Sequence, residues 1–287
     1  MRSIQNEENV IKVFNAVPIF TYNDKEYRLL VCGKPRSQTG SGEPKTDIYA
    51  KFIVDGVDIE EIKISLKQTD YEFLENKIRF ERFEALVGKG NGEKKVREIV
   101  ETIFKQDLHG FEKSSIPQDN VIRHPGEAPC TKYLLGYRLD ITNKKCANRS
   151  CPLNLTLNEK KEIFTGATLD EGKRNAVVNG MVIKDSGVAN MFLEMNVSGE
   201  ETPQEILDRC RSFDDDSLYE DFEPVGTLKA VNYFSNGKYE HRRLAVCVEY
   251  SYDGTQVVPK FVIERPLVIK TSEVVGKLLE VLAEHSE

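Results

Sequence analysis

The sequence predicts an α/β fold of the α+β kind: a mixed central β-sheet flanked by helices, followed by a β-rich C-terminal region. Three observations carry that expectation. Residues 47–68 alternate apolar and polar side chains around Asp55-Gly56, as a β-hairpin does. Residues 70–87 and 93–106 repeat apolar side chains at helical spacing. Residues 227–263 hold three strand-like runs separated by Asn236-Gly237 and Asp253-Gly254, dipeptides that suit hairpin turns.

The first seventeen residues fit a short helix, because Val10, Ile11, Phe14 and Val17 recur at helical spacing. Strands follow at 19–22 and 26–32, turned at Asn23-Asp24. Residues 33–46, rich in Gly, Pro, Ser and Thr with Lys34, Arg36 and Lys45, read as a mobile basic loop before the 47–68 hairpin. A helix over 70–87 takes Asp70 as its N-cap and buries Phe73, Leu74, Ile78, Phe80, Phe83 and Val87. Gly88, Gly90 and Gly92 stop it, and a helix over 93–106 turns Val96, Ile99, Val100 and Ile103 inward. Residues 107–131 read as loop, 132–142 as a strand, and 174–195 as two short strand-like runs around Asn179-Gly180 and Asp185-Ser186-Gly187. A capped helix covers 202–210, strands cover 227–234, 243–252 and 257–263, and a final helix covers 272–285. The expected organisation is a core over 1–115 and a recognition or dimerisation region over 116–287.

The chain has 287 residues, of which 39% are hydrophobic and 30% charged, enough to bury a core. No apolar run approaches the roughly 20 residues of a membrane helix, and the polar N-terminus is unlike a signal peptide, so a cytoplasmic protein is expected. The formal charge of −7 argues against a generally basic nucleic-acid binder. Its distribution removes most of that objection. Residues 200–223 hold ten acids against Arg209 and Arg211, a local balance of −8 that leaves the remainder at +1. That acidic stretch reads as a solvated helix and loop. The six cysteines follow no disulfide pattern, and the Cys146–Cys151 spacing, with Cys130 and His124 upstream, lacks the second knuckle of a zinc site.

Chemistry concentrates in the hairpin. On its second strand Ile62, Ile64 and Leu66 alternate with Glu61, Lys63, Ser65 and Lys67, which share the opposite face. An acid opening one strand beside a lysine on its neighbour can hold a divalent metal next to a water or phosphate. Register decides whether Asp47 joins them. A two-residue turn makes cross-strand partners sum to 111 and turns Asp47 to the apolar side. An odd loop or bulge makes the sum 112, which sets Asp47 opposite Ser65, Tyr49 opposite Lys63 and Lys51 opposite Glu61.

Pro44-Lys45-Thr46-Asp47, a hairpin, then Ile64-Ser65-Leu66-Lys67 resembles the core signature of the PD-(D/E)xK nuclease superfamily, which includes many restriction endonucleases. Asp47 matches its first acid and Lys67 its lysine, while Ser65 stands where the pattern has a second acid. Glu61-Ile62-Lys63 fits the same triplet, so a site on Glu61 and Lys63 stays open. The resemblance covers residues 30–87 and implies a restriction-endonuclease-like core that hydrolyses DNA phosphodiesters with Mg²⁺ or Mn²⁺. It implies metal ligation by Asp47 and the Leu66 carbonyl, with Gln68 or a first-helix glutamate such as Glu8 completing the shell. Lys67 would orient the water, and Lys34, Arg36, Lys45 and Gln68 would contact the DNA. A homodimer is compatible with this reading. A non-catalytic binding or assembly protein on a similar scaffold is the alternative, and a nuclease-fold protein acting on RNA or a modified nucleotide is a third.

Overall fold

A computed structural model describes residues 3–40, 42–69, 73–143, 149–220 and 222–284. The chain divides into two compact units, Met1–Tyr71 with Leu155–Phe222, and Glu72–Asn154 with Glu223–Glu287. This interleaved division replaces the contiguous one expected at 115/116. The first unit joins strands whose paired residues, such as Ile64 and Met191, lie 127 positions apart in sequence, a pairing that no local pattern announces. The α+β class with mixed sheets is as expected.

The first unit begins with helix α1 (Ser3–Ala16), which buries Val10, Val13 and Phe14. Val17 lies beyond the helix end and is exposed, so Val13 takes the place assigned to it in the stripe. Strands β1 (Ile19–Tyr22) and β2 (Lys25–Gly33) form a hairpin whose turn residues, Asn23 and Asp24, adopt φ of 50° and 60°, a region these side chains tolerate. Strands β3 (Ile48–Val54) and β4 (Asp58–Lys67) follow, and every pair from Ile48↔Ile64 to Val54↔Asp58 sums to 112. The odd connection is Asp55–Val57. Asp55 fixes it by donating its N–H to the Glu26 carbonyl (2.8 Å) and accepting the Glu26 N–H on its carboxylate (2.9 Å).

The second unit opens on strand β5 (Phe73–Glu75) and helix α2 (Phe80–Val87), where one helix over 70–87 was expected. The edge of a later strand wins the competition for residues 73–78. The Ile78 N–H bonds the Leu139 carbonyl, the Lys77 N–H bonds the Asp140 carboxylate at 2.6 Å, and Lys77 takes φ of 58°. Leu74 and Ile78 are still buried, but from a strand and a turn; Asp70 lies outside the described residues. Helix α3 (Gly92–Gln106) buries Val96, Ile99, Val100 and Ile103 as predicted. The expected loop instead contains helix α4 (Leu108–Ser115), capped by the Asp107 carboxylate on the Gly110 N–H, and strand β6 (Gln118–Val121). Strands β7 (Cys130–Thr142) and β8 (Ser150–Pro152) complete this segment.

The chain then returns to the first unit through helices α5 (Leu157–Thr165) and α6 (Glu171–Arg174) and the small hairpin of β9 (Val177–Val178) and β10 (Met181–Val182). Strand β11 (Met191–Glu194) pairs parallel to β4, and β12 (Arg211–Ser212) pairs antiparallel to β11. Between them helix α7 (Pro203–Arg209) is capped by a reciprocal Thr202–Glu205 box. The sheet order is β1-β2-β3-β4-β11-β12. One face packs Ile48, Ala50, Phe52, Val54, Ile62, Ile64 and Leu66 with α1 and with Ile206 and Leu207 of α7. Aromatic contacts around Phe52, to Phe14, Phe20 and Tyr27 at 5.6–5.8 Å, fill that layer. Phe164 of α5 packs on Phe192, Phe213 and Phe222. The acidic stretch is therefore anchored by buried Phe213, Leu218, Tyr219 and Phe222 rather than solvated throughout.

The second unit closes with β13 (Val225–Phe234), β14 (Lys238–Tyr239), β15 (Val246–Tyr252), β16 (Val257–Val262) and helix α8 (Thr271–Glu284). Its sheet runs β14-β13-β7-β15-β16, with β5 and β6 also on β7 and β8 on β13. Gly136 is required where β7 meets β15: its φ is 144°, and a Cβ there would lie 2.1 Å from the Val246 carbonyl oxygen. Among the described residues no helix is long and apolar enough to cross a membrane.

Candidate functional site

Asp47 sits one residue before β3, where the ladder with β4 ends at Ile48↔Ile64. Its N–H donates to the Ile64 carbonyl (2.8 Å), and its carboxylate Oδ2 accepts the Leu66 N–H (2.7 Å). Asp47 thus brackets Ser65 from both sides. The 112 register puts Tyr49 and Lys51 on the sheet face that carries Glu61, Lys63, Ser65 and Lys67, while Ile64 and Leu66 enter the core. Burial pushes the Asp47 carboxyl up to about 6; Lys67 opposes this, Glu7 adds to it, and the Leu66 N–H and Lys34 oppose it. Four groups from α1, β4 and the end of β2 therefore act on one carboxyl.

Glu7, not Glu8, is the first-helix acid that turns inward. Glu7 precedes Val10 by three positions and Phe14 by seven, which places it on the sheet-facing side of α1; Glu8 is exposed. The Glu7 carboxylate pairs with Lys34. Burial draws the Lys34 ammonium down, but the Glu7 hydrogen bond and charge outweigh it and hold it above its ordinary value. The helix is fixed in this phase by asparagines. Asn6 donates to the Met195 carbonyl (2.7 Å) and accepts the Val197 N–H (2.6 Å), and Asn9 donates to the Val197 carbonyl (2.7 Å).

The alternative pair, Glu61 and Lys63, is engaged elsewhere. Glu61 accepts the Tyr49 hydroxyl (2.7 Å) and pairs with Lys51 at 3.2 Å. Lys63 bonds the Asp185 carbonyl at 3.4 Å, and its N–H bonds Asn190 at 2.7 Å. Ser65 is buried, Lys67 and Gln68 are partly exposed, and β11 sets Phe192 beside Ser65 and Glu194 beside Lys67. Sequence inspection passed over Glu194, because only the parallel pairing of a distant strand brings it there.

Both ends of the 33–46 segment are tied by backbone hydrogen bonds. Arg36 and Val177 exchange backbone hydrogen bonds at 2.9 and 2.8 Å, the Gln38 N–H bonds Gly172 at 2.9 Å, and the N–H groups of Lys45 and Thr46 both reach the Gly187 carbonyl, at 3.0 and 3.3 Å. Gly187 can approach this closely because it lacks a Cβ, which would fall 1.9 Å from the Lys173 carbonyl oxygen. Of the expected phosphate contacts, Arg36 is exposed, Lys45 is partly buried, and Lys34 belongs to the Glu7 pair.

The oxygens that bear on Asp47 are its own carboxylate, the Glu7 carboxylate that acts on it through charge, and the Ile64 carbonyl that takes its N–H. That hard-oxygen chemistry suits Mg²⁺, which needs few protein ligands because it retains water. Among the described residues no three His, Cys, Asp or Glu side chains gather as a metal cage. Cys130 and Cys151 are free thiols, Cys151 buried against the Ile99 carbonyl, and Cys146 lies outside the described residues. Cys32 is buried in β2, which pushes its thiol up to about 12 and leaves it inert. Comparison with known protein families, with curated proteins and with solved structures finds no match.

Proposed function

We propose that the first unit is a metal-dependent endonuclease that hydrolyses DNA phosphodiesters at Asp47 and Lys67, in the manner its resemblance to the PD-(D/E)xK superfamily implies. One observation carries this reading: the hairpin takes the odd register, so that Asp47 meets the Ser65–Lys67 segment and its carboxylate accepts the Leu66 N–H at 2.7 Å. The superfamily's second acid is absent at Ser65. Glu7, ion-paired with Lys34, is the acid whose charge acts on Asp47 from the first helix, and this reading has it turn to the ion when one binds.

Asp47, Glu7 and the Leu66 carbonyl are the residues that would hold Mg²⁺ or Mn²⁺. The ion would supply a polarised phosphoryl oxygen and an acidified water. Lys67 orients the attacking water and offsets charge developing on the phosphate as the bond to the leaving oxygen breaks. Asp47, with its carboxyl near 6, is largely ionised at cytoplasmic pH and so available to a cation. Buried Ser65 supports the strand and cannot replace a carboxylate ligand in charge. The Glu61–Lys63 alternative is disfavoured by the Tyr49 and Lys51 contacts to Glu61.

Ser65 favours a second reading, a DNA-binding protein without cleavage. Incubating plasmid with the purified chain and Mg²⁺ or Mn²⁺ separates the two. Nicking or linearisation that Asp47→Asn abolishes supports the enzyme, whereas intact plasmid at both metals supports the binder.

A further inference from the structure

Arg149, one residue before β8, is a partly buried cation that forms no ion pair among the described residues. Its guanidinium carbon lies over the rings of Phe111 and Tyr137, 4.6 and 5.3 Å from their centroids. One Nη donates to the Tyr137 hydroxyl at 3.3 Å and the other to the Ser114 Oγ at 3.5 Å, both long bonds. Ser114 gives its own proton to the Phe111 carbonyl at 2.8 Å, so Tyr137 donates to Ser114 across 2.7 Å. Every acceptor along this chain is neutral. A guanidinium has five N–H donors, and these two bonds leave three, Nε–H among them, without a partner among the described residues.

Partly buried charges are ordinarily paired, because neutral partners do not offset the loss of water. The carboxylates that could balance Arg149 are committed elsewhere. Between Asp140 and Glu159 the sequence carries three bases and no acid. Asp140 is bonded by Arg138 and by the Lys77 N–H. Asp107 acts on Tyr137 from a distance, but it accepts the Gly110 N–H at the start of α4. The carbonyl end of α4 contributes at most about half a negative charge. Phe111 and Tyr137 are fully buried while Ser114 and Arg149 are partly exposed, so the rings fix the guanidinium plane at the surface of the unit.

We propose that Arg149 is an oxyanion site of the second unit and that its ligand class is a phosphate group, taken by the remaining N–H donors. A guanidinium fork matches two oxygens of a phosphate or a carboxylate. Phosphate is favoured over carboxylate because it brings up to two negative charges to a cation with no carboxylate partner. The site does not depend on the nuclease reading of the first unit.

Titrating the isotope-labelled full chain with inorganic phosphate, in EDTA at neutral pH and constant ionic strength, tests the site through its arginine Nε–H resonances. The Arg149 resonance, assigned by its contacts to the Phe111 ring protons, should follow one saturable curve with a Kd on the order of millimolar. Acetate at the same ionic strength should bind several-fold more weakly. Phosphate should also raise the urea midpoint of the unmodified chain and leave that of folded Arg149→Gln unchanged. An Arg149 resonance that stays in place up to about 50 mM phosphate overturns the site. So does an equal midpoint shift in Arg149→Gln. A response to acetate as strong as that to phosphate overturns the ligand class.

Discussion

The Asp47 carboxylate accepts the backbone N–H of Leu66 at 2.7 Å, across a hairpin whose partners sum to 112 throughout. That bond ties the acid opening β3 to the residue just before Lys67. Asp47 is itself partly buried, and this has a measurable cost.

Burial raises the Asp47 pKa from 3.8 to about 6 in the folded chain. Folding therefore favours its protonated form. The resulting destabilisation is absent below the unfolded value and complete above the folded one, so stability falls as pH rises through that window. Asp47→Asn should stabilise the metal-free protein by up to about 3 kcal/mol at pH 8, with the gain vanishing near pH 3–4. Urea denaturation at the two pH values measures it. Added Mg²⁺ should stabilise the unmodified chain and not the variant.

Glu7 and Glu8 are adjacent in sequence and opposite in role. Glu7→Gln leaves the Lys34 ammonium without its ionic partner and should lower stability by about 1–3 kcal/mol, with weaker Mg²⁺ binding by calorimetry. Glu8→Gln, on the exposed side of α1, should change neither.

Gly187 carries the contact between the segment before β11 and the residues leading into Asp47. Gly187→Ala would drive a Cβ to 1.9 Å from the Lys173 carbonyl oxygen, so the backbone must shift. A loss of at least about 2 kcal/mol is expected in thermal or urea unfolding, with Mg²⁺ affinity falling as the Thr46–Asp47 segment loses its anchor.

Ser65 stands where the proposed nuclease reading would have an acid, and it is buried. Ser65→Asp should destabilise the metal-free fold, because it adds a carboxylate beside Asp47 and Glu7. Mg²⁺ should restore that stability and bind more tightly than to the unmodified chain. An Asp variant whose stability ignores Mg²⁺ would count against a cation at this position.

Much of the site was legible because it is local. The β3–β4 alternation and the odd register follow from one hairpin and its turn, although the ladder ends at Ile48↔Ile64 and Asp47 bonds Ile64 and Leu66 rather than pairing with Ser65. Glu7 was within reach as well: it stands three and seven positions before Val10 and Phe14, and the helical phase that buries them also turns Glu7 inward. Glu194 and the 166–190 segment were not accessible this way, because β11 joins β4 by parallel pairing across more than 120 residues. The helix expected over 70–87 failed for a related reason. Its first part had strong helical periodicity, but the edge of β7 offered backbone hydrogen bonds that captured residues 73–78 as a strand and turn.

Plasmid cleavage with matched lysine variants is the most direct measurement of the central claim. With Mg²⁺ or Mn²⁺ the unmodified chain should convert supercoiled plasmid to nicked or linear forms, Lys67→Ala should be slower by about 100-fold or more, and Lys63→Ala should retain most of the activity. Loss of cleavage in Lys63→Ala with activity retained in Lys67→Ala would contradict the assignment of the site to Asp47 and Lys67.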